Sequence, residues 1–448
     1  MISKIVFFIF LLVGLGGCRQ KVKVVAVDAR HAKLPSRAVE LRRTATGGYL
    51  LYRHGRRFRI QGGAGVQHFD QLRAAGGNSV RLYTTDYAGP LLDEAQRQGL
   101  TVMLGLWMQP ERLGFNYYDI VAVRRQLAEL REQILRYRHH PALLMWCVGN
   151  EMDLGARNQK VYAAVNDVAE LIHELDPDHP VTTAMVGSMP LISALKRWAP
   201  AINVLSVNSF GGLITLPTDI RQRGWDGPYI VSEFGGRGYW DGETMMTPWK
   251  APLEHSSTRR GTFMRERYQK TMVEDSSHCL GGYALYWGQK FEQTPTWFSL
   301  FTSTGEATAS VDELQRLWRG YYPPNRAPQL ELLTLGGRRD FEFPRLRPNV
   351  FYEASFRAHD PEGQPLSVRW EVWPELQPAD STKLALQEPL TGYISEAAGQ
   401  RALVRAPARP GAYRLLLWVS DGHGGAATAN IPFYCASPAD QQPAELSD

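Results

Sequence analysis

Two glutamates, Glu151 and Glu233, each follow an apolar stretch of the chain, and that placement makes them candidates for chemistry. Glu151 comes three residues after the apolar run 143–148, and Glu233 comes two residues after the run 229–231. A carboxylate at the end of a buried strand carries a desolvation cost unless water, hydrogen bonds or a function accounts for it. Two such carboxylates in one cavity can divide proton transfer and nucleophilic attack between them. We therefore interpret Glu151 and Glu233 as a catalytic pair.

The elements that must position this pair follow a repeating strand-then-helix pattern. Apolar or β-branched runs, typical of buried strands, are found at 58–60, 78–83, 100–106, 142–148, 179–184, 202–207, 228–231 and 282–287. Between them, the stretches 121–137 and 161–175 carry apolar residues at helical spacing. This alternation predicts an α/β fold, a (β/α)8 TIM barrel, in which catalytic groups lie at the C-terminal ends of the strands. A doubly wound open sheet is the alternative, but no Gly-rich phosphate-binding fingerprint follows the first strand.

Two motifs around the glutamates resemble those of a known group of enzymes. The segment 146–151 reads Trp-Cys-Val-Gly-Asn-Glu, and 231–235 reads Val-Ser-Glu-Phe-Gly. They are similar to the acid/base and nucleophile motifs of the clan A glycoside hydrolases, and most similar to the catalytic barrel of glycoside hydrolase family 2. The resemblance implies that Glu151 is the acid/base, that Glu233 is the nucleophile and that Asn150 holds the sugar 2-hydroxyl.

Three further site residues follow from the same resemblance. Arg81 ends a Gly-Asn-Ser-Val-Arg segment on the second strand and is implied to support the nucleophile. Trp287, at the end of the eighth strand, matches the aromatic platform under the sugar. Asn208 ends the sixth strand and is expected to bind substrate.

The sequence departs from the family pattern at Phe210, where the family typically has a tyrosine. That tyrosine hydroxyl normally donates a hydrogen bond to the nucleophile. Either Tyr83 or Tyr239 is expected to replace it. Tyr83, Trp107 and His68 all follow strands and are candidates for substrate binding, although a structural role explains His68 equally well.

The two catalytic roles require different protonation states. A retaining enzyme needs two carboxyl groups about 5–5.5 Å apart, one protonated and one ionised. We expect Arg81 to lower the pKa of Glu233, whereas burial and the neighbouring negative charge keep Glu151 protonated.

The N-terminal segment reads as a targeting signal. Lys4 precedes the apolar run 5–15, which is of signal-peptide length and is followed by Leu-Gly-Gly-Cys at 15–18. This ending looks like a bacterial lipobox, which would make Cys18 the lipidated first residue of the mature protein. An ordinary secretory signal is the alternative. We expect a bacterial cell-envelope protein, anchored in the membrane by its N-terminal lipid, at the outer membrane or on the periplasmic side.

The predicted domain organisation follows from changes in composition and hydrophobic pattern along the chain. A signal peptide at 1–18 and a tether or edge segment at 19–48 precede the catalytic barrel at 49–320. A Pro-rich linker at 321–328 leads to short alternating strands at 329–438, which predict a small all-β sandwich that resembles cadherin-like or polycystic-kidney-disease-like modules. The last ten residues, 439–448, are expected to be a disordered tail.

The composition limits the possible partners. The net charge of +5 is spread along the chain, so we expect no nucleic-acid partner. Four cysteines without short spacing and no set of residues at metal-ligand spacing predict no metal and no cofactor. The oligomeric state stays open.

Taken together, these features predict a retaining glycoside hydrolase whose substrate is a β-linked poly- or oligosaccharide. A glucanosyltransferase or other transglycosylase on the same scaffold is one alternative. A non-catalytic carbohydrate-binding lipoprotein is the other, and Phe210 favours it mildly.

Overall fold

The computed structural model describes residues 37–186, 192–376 and 388–436. The predicted signal peptide with Cys18 and the predicted tail at 439–448 lie outside these residues. Within the described part of the chain, no helix is long and apolar enough to cross a membrane.

Eight parallel strands close into a barrel, and each is followed by a helix, so the TIM-barrel prediction is confirmed. The barrel strands are β4 Ile60–Ala64, β5 Ser79–Leu82, β6 Thr101–Leu106, β7 Leu143–Asn150, β8 Val181–Val186, β9 Val204–Asn208, β10 Tyr229–Phe234 and β11 Cys279–Leu285. The helices are α1 Phe69–Ala74, α2 Ala88–Arg97, α3 Ile120–Tyr137, α4 Lys160–Leu175, α5 Ile192–Trp198, α6 Leu216–Gln222, α7 Ser257–Tyr268 and α8 Ala309–Arg319.

The strands are buried on both faces because helices cover the outside of the barrel and side chains fill its interior. Every residue of β6 and of β10 is buried, which explains their continuous apolar runs. Helix α3 begins at a side-chain cap, since Asp119 accepts hydrogen bonds from the backbone N–H groups of Val121 and Ala122, both at 3.0 Å. Its Leu130 and Ile134 are buried, one turn apart.

The first barrel strand begins later than the sequence predicted. Phe58 ends a separate strand, and the barrel strand β4 starts at Ile60 and runs through Gly62 and Gly63. A Cβ atom on Gly62 would lie 2.2 Å from the ring of Tyr283, and one on Gly63 would lie 2.7 Å from the indole of Trp287. Only glycine fits beside these rings, and its lack of an apolar side chain hid the strand from the sequence pattern.

A small antiparallel sheet precedes the barrel, with strands β1 Val39–Arg43, β2 Tyr49–Arg53 and β3 Arg56–Phe58. The backbone N–H of Val39 donates to the carbonyl of Asp178 at 3.1 Å, and that of Tyr49 donates to the carbonyl of Ser277 at 2.7 Å. Asp178 and Ser277 lie in the connections that enter β8 and β11. The sheet therefore lies at the end of the barrel opposite the C-terminal ends of the strands.

The C-terminal part is a β-sandwich of two four-stranded sheets, as predicted. One sheet has the order β12-β14-β17-β16, and its strands are Gln329–Leu335, Phe351–His359, Arg401–Arg405 and Ile394–Ala398. The other has the order β13-β19-β18-β15, and its strands are Arg345–Leu346, Ala426–Cys435, Gly411–Ser420 and Ser367–Pro374. Their inner faces share one apolar core, which includes Phe356, Trp370, Leu417 and Phe433.

Three cysteines, Cys147, Cys279 and Cys435, lie in the described residues, and all three are buried and free of disulfides. Cys147 and Cys279 are on barrel strands β7 and β11, and Cys435 ends β19 of the sandwich. They act as small apolar core residues.

Candidate active site

Glu151 leaves the end of β7 through a left-handed turn. Gly149 and Glu151 have φ angles of +67° and +51°, and the backbone N–H of Glu151 still donates to the carbonyl of Ala184 on β8 at 2.8 Å. A left-handed conformation at a residue other than glycine costs roughly 1–3 kcal/mol and persists only where the surroundings impose it. The turn directs the Glu151 side chain out of the strand, where it is partly exposed.

Glu233 lies inside β10 and is 7% exposed. Its Oε1 accepts two hydrogen bonds, one from Arg81 Nη1 at 2.8 Å and one from the Tyr83 hydroxyl at 3.0 Å. Arg81 is 1% exposed and its guanidinium lies 4.4 Å from the centre of the Tyr83 ring. A buried carboxylate needs this kind of charge pairing and hydrogen bonding to stay in place.

Two asparagines connect Glu233 to Glu151. Arg81 Nη1 also donates to Asn208 Oδ1 at 3.1 Å, and Arg81 Nη2 donates to Asn150 Oδ1 at 2.6 Å. Asn208 Nδ2 in turn donates to Glu151 Oε1 at 2.9 Å and to Asn150 Oδ1 at 3.2 Å. A continuous hydrogen-bonded chain therefore runs from one glutamate to the other through the ends of four strands.

The pKa of Glu233 differs from the expectation. Burial raises the pKa of this carboxyl above its ordinary value, and the negative charge of Glu151 adds to that rise. Arg81 and the Tyr83 hydroxyl act in the opposite direction and offset only part of the effect. The expected lowering by Arg81 is thus present as a contribution, but the net direction was wrong, because burial outweighs it.

Tyr83 supplies the hydroxyl hydrogen bond to Glu233 that a phenylalanine at position 210 cannot make. Phe210 is 8% exposed and its ring packs near Trp240 and Phe298, with centroids 5.6 and 5.3 Å away. The Tyr239 hydroxyl points instead at Glu292 Oε1, 3.5 Å away. Of the two tyrosines considered as replacements, Tyr83 is the one in contact with Glu233.

Trp287 does not provide a platform in the cavity. It is 1% exposed, its Nε1 donates to the carbonyl of His68 at 3.0 Å, and its ring stacks near Phe301 and Trp318. A sugar platform requires an exposed face, so this prediction was wrong. The neighbouring Tyr286 is half-buried and lies within electrostatic reach of Tyr83.

His68 and Trp107 lie beside the site without joining its hydrogen bonds. His68 stacks on Phe301 at 4.4 Å and adopts a left-handed conformation before α1. Its contacts fit the structural role better than the substrate role. Trp107 follows β6 directly and is partly exposed, and no hydrogen bond joins it to the glutamate network within the described residues.

The sequence did not single out two charged neighbours of the glutamates. Asp153 is 6% exposed and accepts hydrogen bonds from the Val186 N–H at 3.2 Å, and burial raises its pKa to about 6. Lys290 is paired with Glu292 at 2.5 Å. Its positive charge offsets a small part of the rise that burial causes in the pKa of Glu233. Both lie in loops that follow barrel strands, which is the one signal that could have found them. Among the described residues, no cluster of three or more His, Cys, Asp or Glu side chains could hold a metal ion.

Comparison with known proteins agrees with this architecture. Residues 54–305, more than half of the chain, match the family described as glycosyl hydrolases family 2, TIM barrel domain. The chain belongs to this family. The chain is 26% identical to human β-glucuronidase over 188 residues, which cover 38% of this chain and 27% of the relative. It is 29% identical to the β-glucuronidase of Paenibacillus borealis over 192 residues, which cover 38% of this chain and 31% of the relative.

Two solved β-glucuronidase structures align with the chain at low sequence identity. Bacteroides uniformis β-glucuronidase 2, covalently bound to cyclophellitol-6-carboxylate aziridine, aligns with a TM-score of 0.49 and 15% identity over 89% of this chain and 48% of that one. Bifidobacterium dentium β-glucuronidase, complexed with coumarin-3-O-glucuronide, aligns with a TM-score of 0.48 and 16% identity. That alignment covers 64% of this chain and 50% of the other one. The aligned region spans less than a third of the length of the two curated relatives named above.

Proposed function

We propose that this chain hydrolyses β-linked glycosides with retention of anomeric configuration, with Glu151 as acid/base and Glu233 as nucleophile. The observation that carries the proposal is the hydrogen-bonded chain Glu233–Arg81–Asn208–Glu151 at the C-terminal ends of the barrel strands. It gives the two carboxyl groups different surroundings. One is buried against a guanidinium and a hydroxyl, and the other is partly exposed on a turn.

The first half of the reaction cleaves the glycosidic bond. The carboxylate of Glu233 attacks the anomeric carbon while the carboxylic acid of Glu151 gives its proton to the glycosidic oxygen. The bond between that carbon and oxygen breaks, and the aglycone leaves as an alcohol. Arg81 and Tyr83 both donate to Oε1 of Glu233, so its Oε2 is the oxygen available for attack.

The second half returns the enzyme to its starting state. Glu151, now ionised, accepts a proton from water as the water oxygen attacks the anomeric carbon. The ester bond to Glu233 breaks and its carboxylate is released beside Arg81, whose positive charge stabilises it. The partial exposure of Glu151 supports this step, because water can reach it.

Asn150 and Asn208 are proposed to orient the substrate and the acid/base. The Oδ1 of Asn150 is occupied by Arg81 and Asn208, which directs its Nδ2 toward other partners. Among the described residues no group accepts a hydrogen bond from that Nδ2, so it is suited to a sugar hydroxyl. Asn208 Nδ2 holds Glu151 Oε1, which leaves Oε2 of Glu151 to transfer the proton.

We propose β-glucuronides as the first substrates to test, since the curated relatives are named β-glucuronidases. A panel of aryl β-glycosides, with the β-glucuronide included, tests this directly. Proton NMR of the first product should show the β-anomer if configuration is retained. An α-anomer at first release would contradict the double displacement.

A mechanism-based inhibitor separates catalysis from mere binding. A cyclophellitol-type aziridine or a fluorosugar should label Glu233, which peptide mass spectrometry can locate. Glu233→Gln is the matched control and should take up no label. A wild-type protein that neither turns over nor labels across several sugar configurations would instead be a carbohydrate-binding protein. Product analysis on β-linked polysaccharides and oligosaccharides then tests whether such a glycan is the natural substrate.

We further propose lipidation at Cys18, on the sequence at 15–18 alone. Expressed in a bacterial host, the full chain should partition into the detergent phase, and Cys18→Ser should move it to the aqueous phase. Equal partitioning of the two forms would contradict lipidation and favour an ordinary secretory signal.

A further inference from the structure

A buried junction joins the sandwich to two loops that flank Glu233. Glu254, in the loop between β10 and α7, is 6% exposed. Its Oε2 accepts a hydrogen bond from Thr294 Oγ1 at 2.7 Å and another from Asn430 Nδ2 at 2.7 Å. Thr294 lies in the loop between β11 and α8, and Asn430 lies on β19 of the sandwich. One carboxylate oxygen thus holds three separate parts of the chain together.

The sandwich side of this junction is itself fully paired. Arg414 on β18 is 2% exposed, pairs with both oxygens of Glu375 at 2.7 and 2.9 Å, and donates to Asn430 Oδ1 at 2.6 Å. Its Nη2 also donates to the carbonyl of Pro252, two residues before Glu254, at 2.9 Å. Removing one partner of a buried charged group leaves the other uncompensated, so this network allows one arrangement of the loop.

The junction continues toward the catalytic centre through Arg260. This residue of α7 is 2% exposed, and its Nη1 lies 3.8 Å from Glu254 Oε1. Its guanidinium donates to the carbonyls of Thr296, Trp297 and Ser299, the last two at 2.9 and 2.8 Å. The backbone of the second loop is therefore held at three of the four residues 296–299.

That second loop holds the backbone of two residues that follow β11, the strand next to the one that carries Glu233. The Ser299 hydroxyl accepts from the Lys290 N–H at 3.0 Å and donates to its carbonyl at 2.9 Å. The N–H of Tyr286 donates to the carbonyl of Phe298 at 2.8 Å, so the same loop holds the backbone that carries Tyr286. Tyr286 is partly exposed and Lys290 is exposed, both follow the C-terminal end of β11, and the positive charge of Lys290 acts on the pKa of Glu233.

The first loop is tied to the second one close to the site. Trp297 Nε1 donates to the carbonyl of Arg237 at 2.9 Å. Tyr239 and Trp240, which follow Arg237, pack on Phe298 with centroids 6.4 and 5.6 Å away. A displacement of either loop is therefore transmitted to the other.

We propose that the C-terminal sandwich helps to position the active site. In this proposal Glu254, Thr294 and Asn430 are positioning residues for the loop between β11 and α8, which carries Tyr286 and Lys290. This inference rests on the proposed glycosidase function. The Arg81, Tyr83 and Asn208 contacts of Glu233 and Glu151 do not pass through the junction. Loosening it should therefore impair substrate positioning more than the ionisation of Glu233, because misplacement of about 1 Å can cost about a hundredfold in rate.

Single substitutions with close steric matches test the proposal. Thr294→Val removes the hydroxyl and keeps the shape, whereas Thr294→Ser keeps the hydroxyl. Asn430→Ala removes the donor on the sandwich. The control is Thr334→Val, which removes the hydroxyl that pairs with Ser355 at 2.8 Å in the other sheet of the sandwich.

On an aryl β-glycoside that the wild type cleaves, Thr294→Val and Asn430→Ala should raise KM about tenfold. The acid limb of the pH profile should move by less than about one pH unit, since the hydrogen bonds from Arg81 and Tyr83 to Glu233 are intact and only the smaller contribution of the Lys290 charge can change. Thr294→Ser and Thr334→Val should stay within about twofold of wild type. Wild-type KM in Thr294→Val and Asn430→Ala with only a lower Tm would overturn the proposal, and so would an acid limb shifted by about one pH unit or more, the size expected for loss of a direct hydrogen bond to Glu233.

Hydrogen–deuterium exchange provides a readout that needs no substrate. Peptides that cover 237–245 and 286–300 should exchange faster in Thr294→Val and Asn430→Ala than in wild type, at matched global stability. Unchanged exchange in both peptides would refute the proposed coupling. Because this measurement stands without turnover, a failure of the glycosidase proposal and a failure of the positioning proposal give different results.

Discussion

Tyr83→Phe is the substitution that tests the electrostatics of Glu233 most directly. It removes the hydroxyl that donates to Glu233 Oε1 at 3.0 Å and leaves the ring that packs under Arg81. Hydrogen bonds to charged groups contribute about 1.5–3 kcal/mol, and about 1.4 kcal/mol corresponds to one pKa unit. The pKa of Glu233, already raised by burial, should therefore rise by about one to two units more.

The sign of the effect follows from the role of Glu233. Attack requires the ionised carboxylate, so activity is lost as the pH falls through the pKa of this group. A higher pKa moves that loss to higher pH. The acid limb of kcat/KM in Tyr83→Phe should then lie about one to two pH units above that of wild type.

The assay is a pH profile of kcat/KM on one aryl β-glycoside between pH 4 and 9. Tyr239→Phe serves as the matched control, because its hydroxyl approaches Glu292 rather than Glu233. Its acid limb should coincide with that of wild type. An acid limb in Tyr83→Phe that moves by less than about 0.3 units would refute the assigned support of Glu233.

Three other predictions concern catalysis and stability. Glu233→Gln should abolish turnover on every glycoside, while its circular dichroism spectrum should match that of the wild type. Residual turnover near the wild-type rate would contradict the role of Glu233. Glu151→Gln should lose far more activity on a glycoside with a poor leaving group than on a nitrophenyl glycoside, and equal loss on both would argue against acid catalysis. Asp312 is 5% exposed, accepts from the Ala327 N–H at 2.8 Å and has its pKa raised by burial to about 7. Its raised pKa means that the stability contributed by the protonated form is lost as the pH rises through that value. Asp312→Asn should accordingly raise Tm at pH 8, where the amide avoids a buried charge, and change it little at pH 5, and the opposite pH order would contradict this reasoning.

The barrel and the identity of the two glutamates were predictable from local patterns. Most of the buried barrel strands leave continuous apolar runs, with the glycine-containing β4 as the exception, and a carboxylate directly after such a run is visible without any tertiary information. Arg81 is assigned through the resemblance to the family motif, and it lies one residue before the end of β5, whereas Asn208 is the last residue of β9. The structure brings all four side chains into one hydrogen-bonded group.

Other features of the site depend on quantities that a linear pattern does not contain. Trp287 and Tyr286 are adjacent in the turn that follows β11, and the first is buried whereas the second is partly exposed, a difference that the sequence pattern does not show. The net pKa shift of Glu233 depends on its burial, which is a property of the folded molecule. The contact between Glu254 and Asn430 joins residues 176 positions apart, on two elements that have no pattern in common.

The three buried cysteines also determine how the protein responds to its redox environment. Burial raises the pKa of the Cys147 thiol, that of Cys279 to about 11 and that of Cys435 to about 12. The thiolate is the reactive form, so at neutral pH very little of each thiol can react with oxidants or disulfides. The described part of the chain therefore folds without an oxidative step, and it retains its thiols unmodified in a compartment where exposed cysteines would be oxidised.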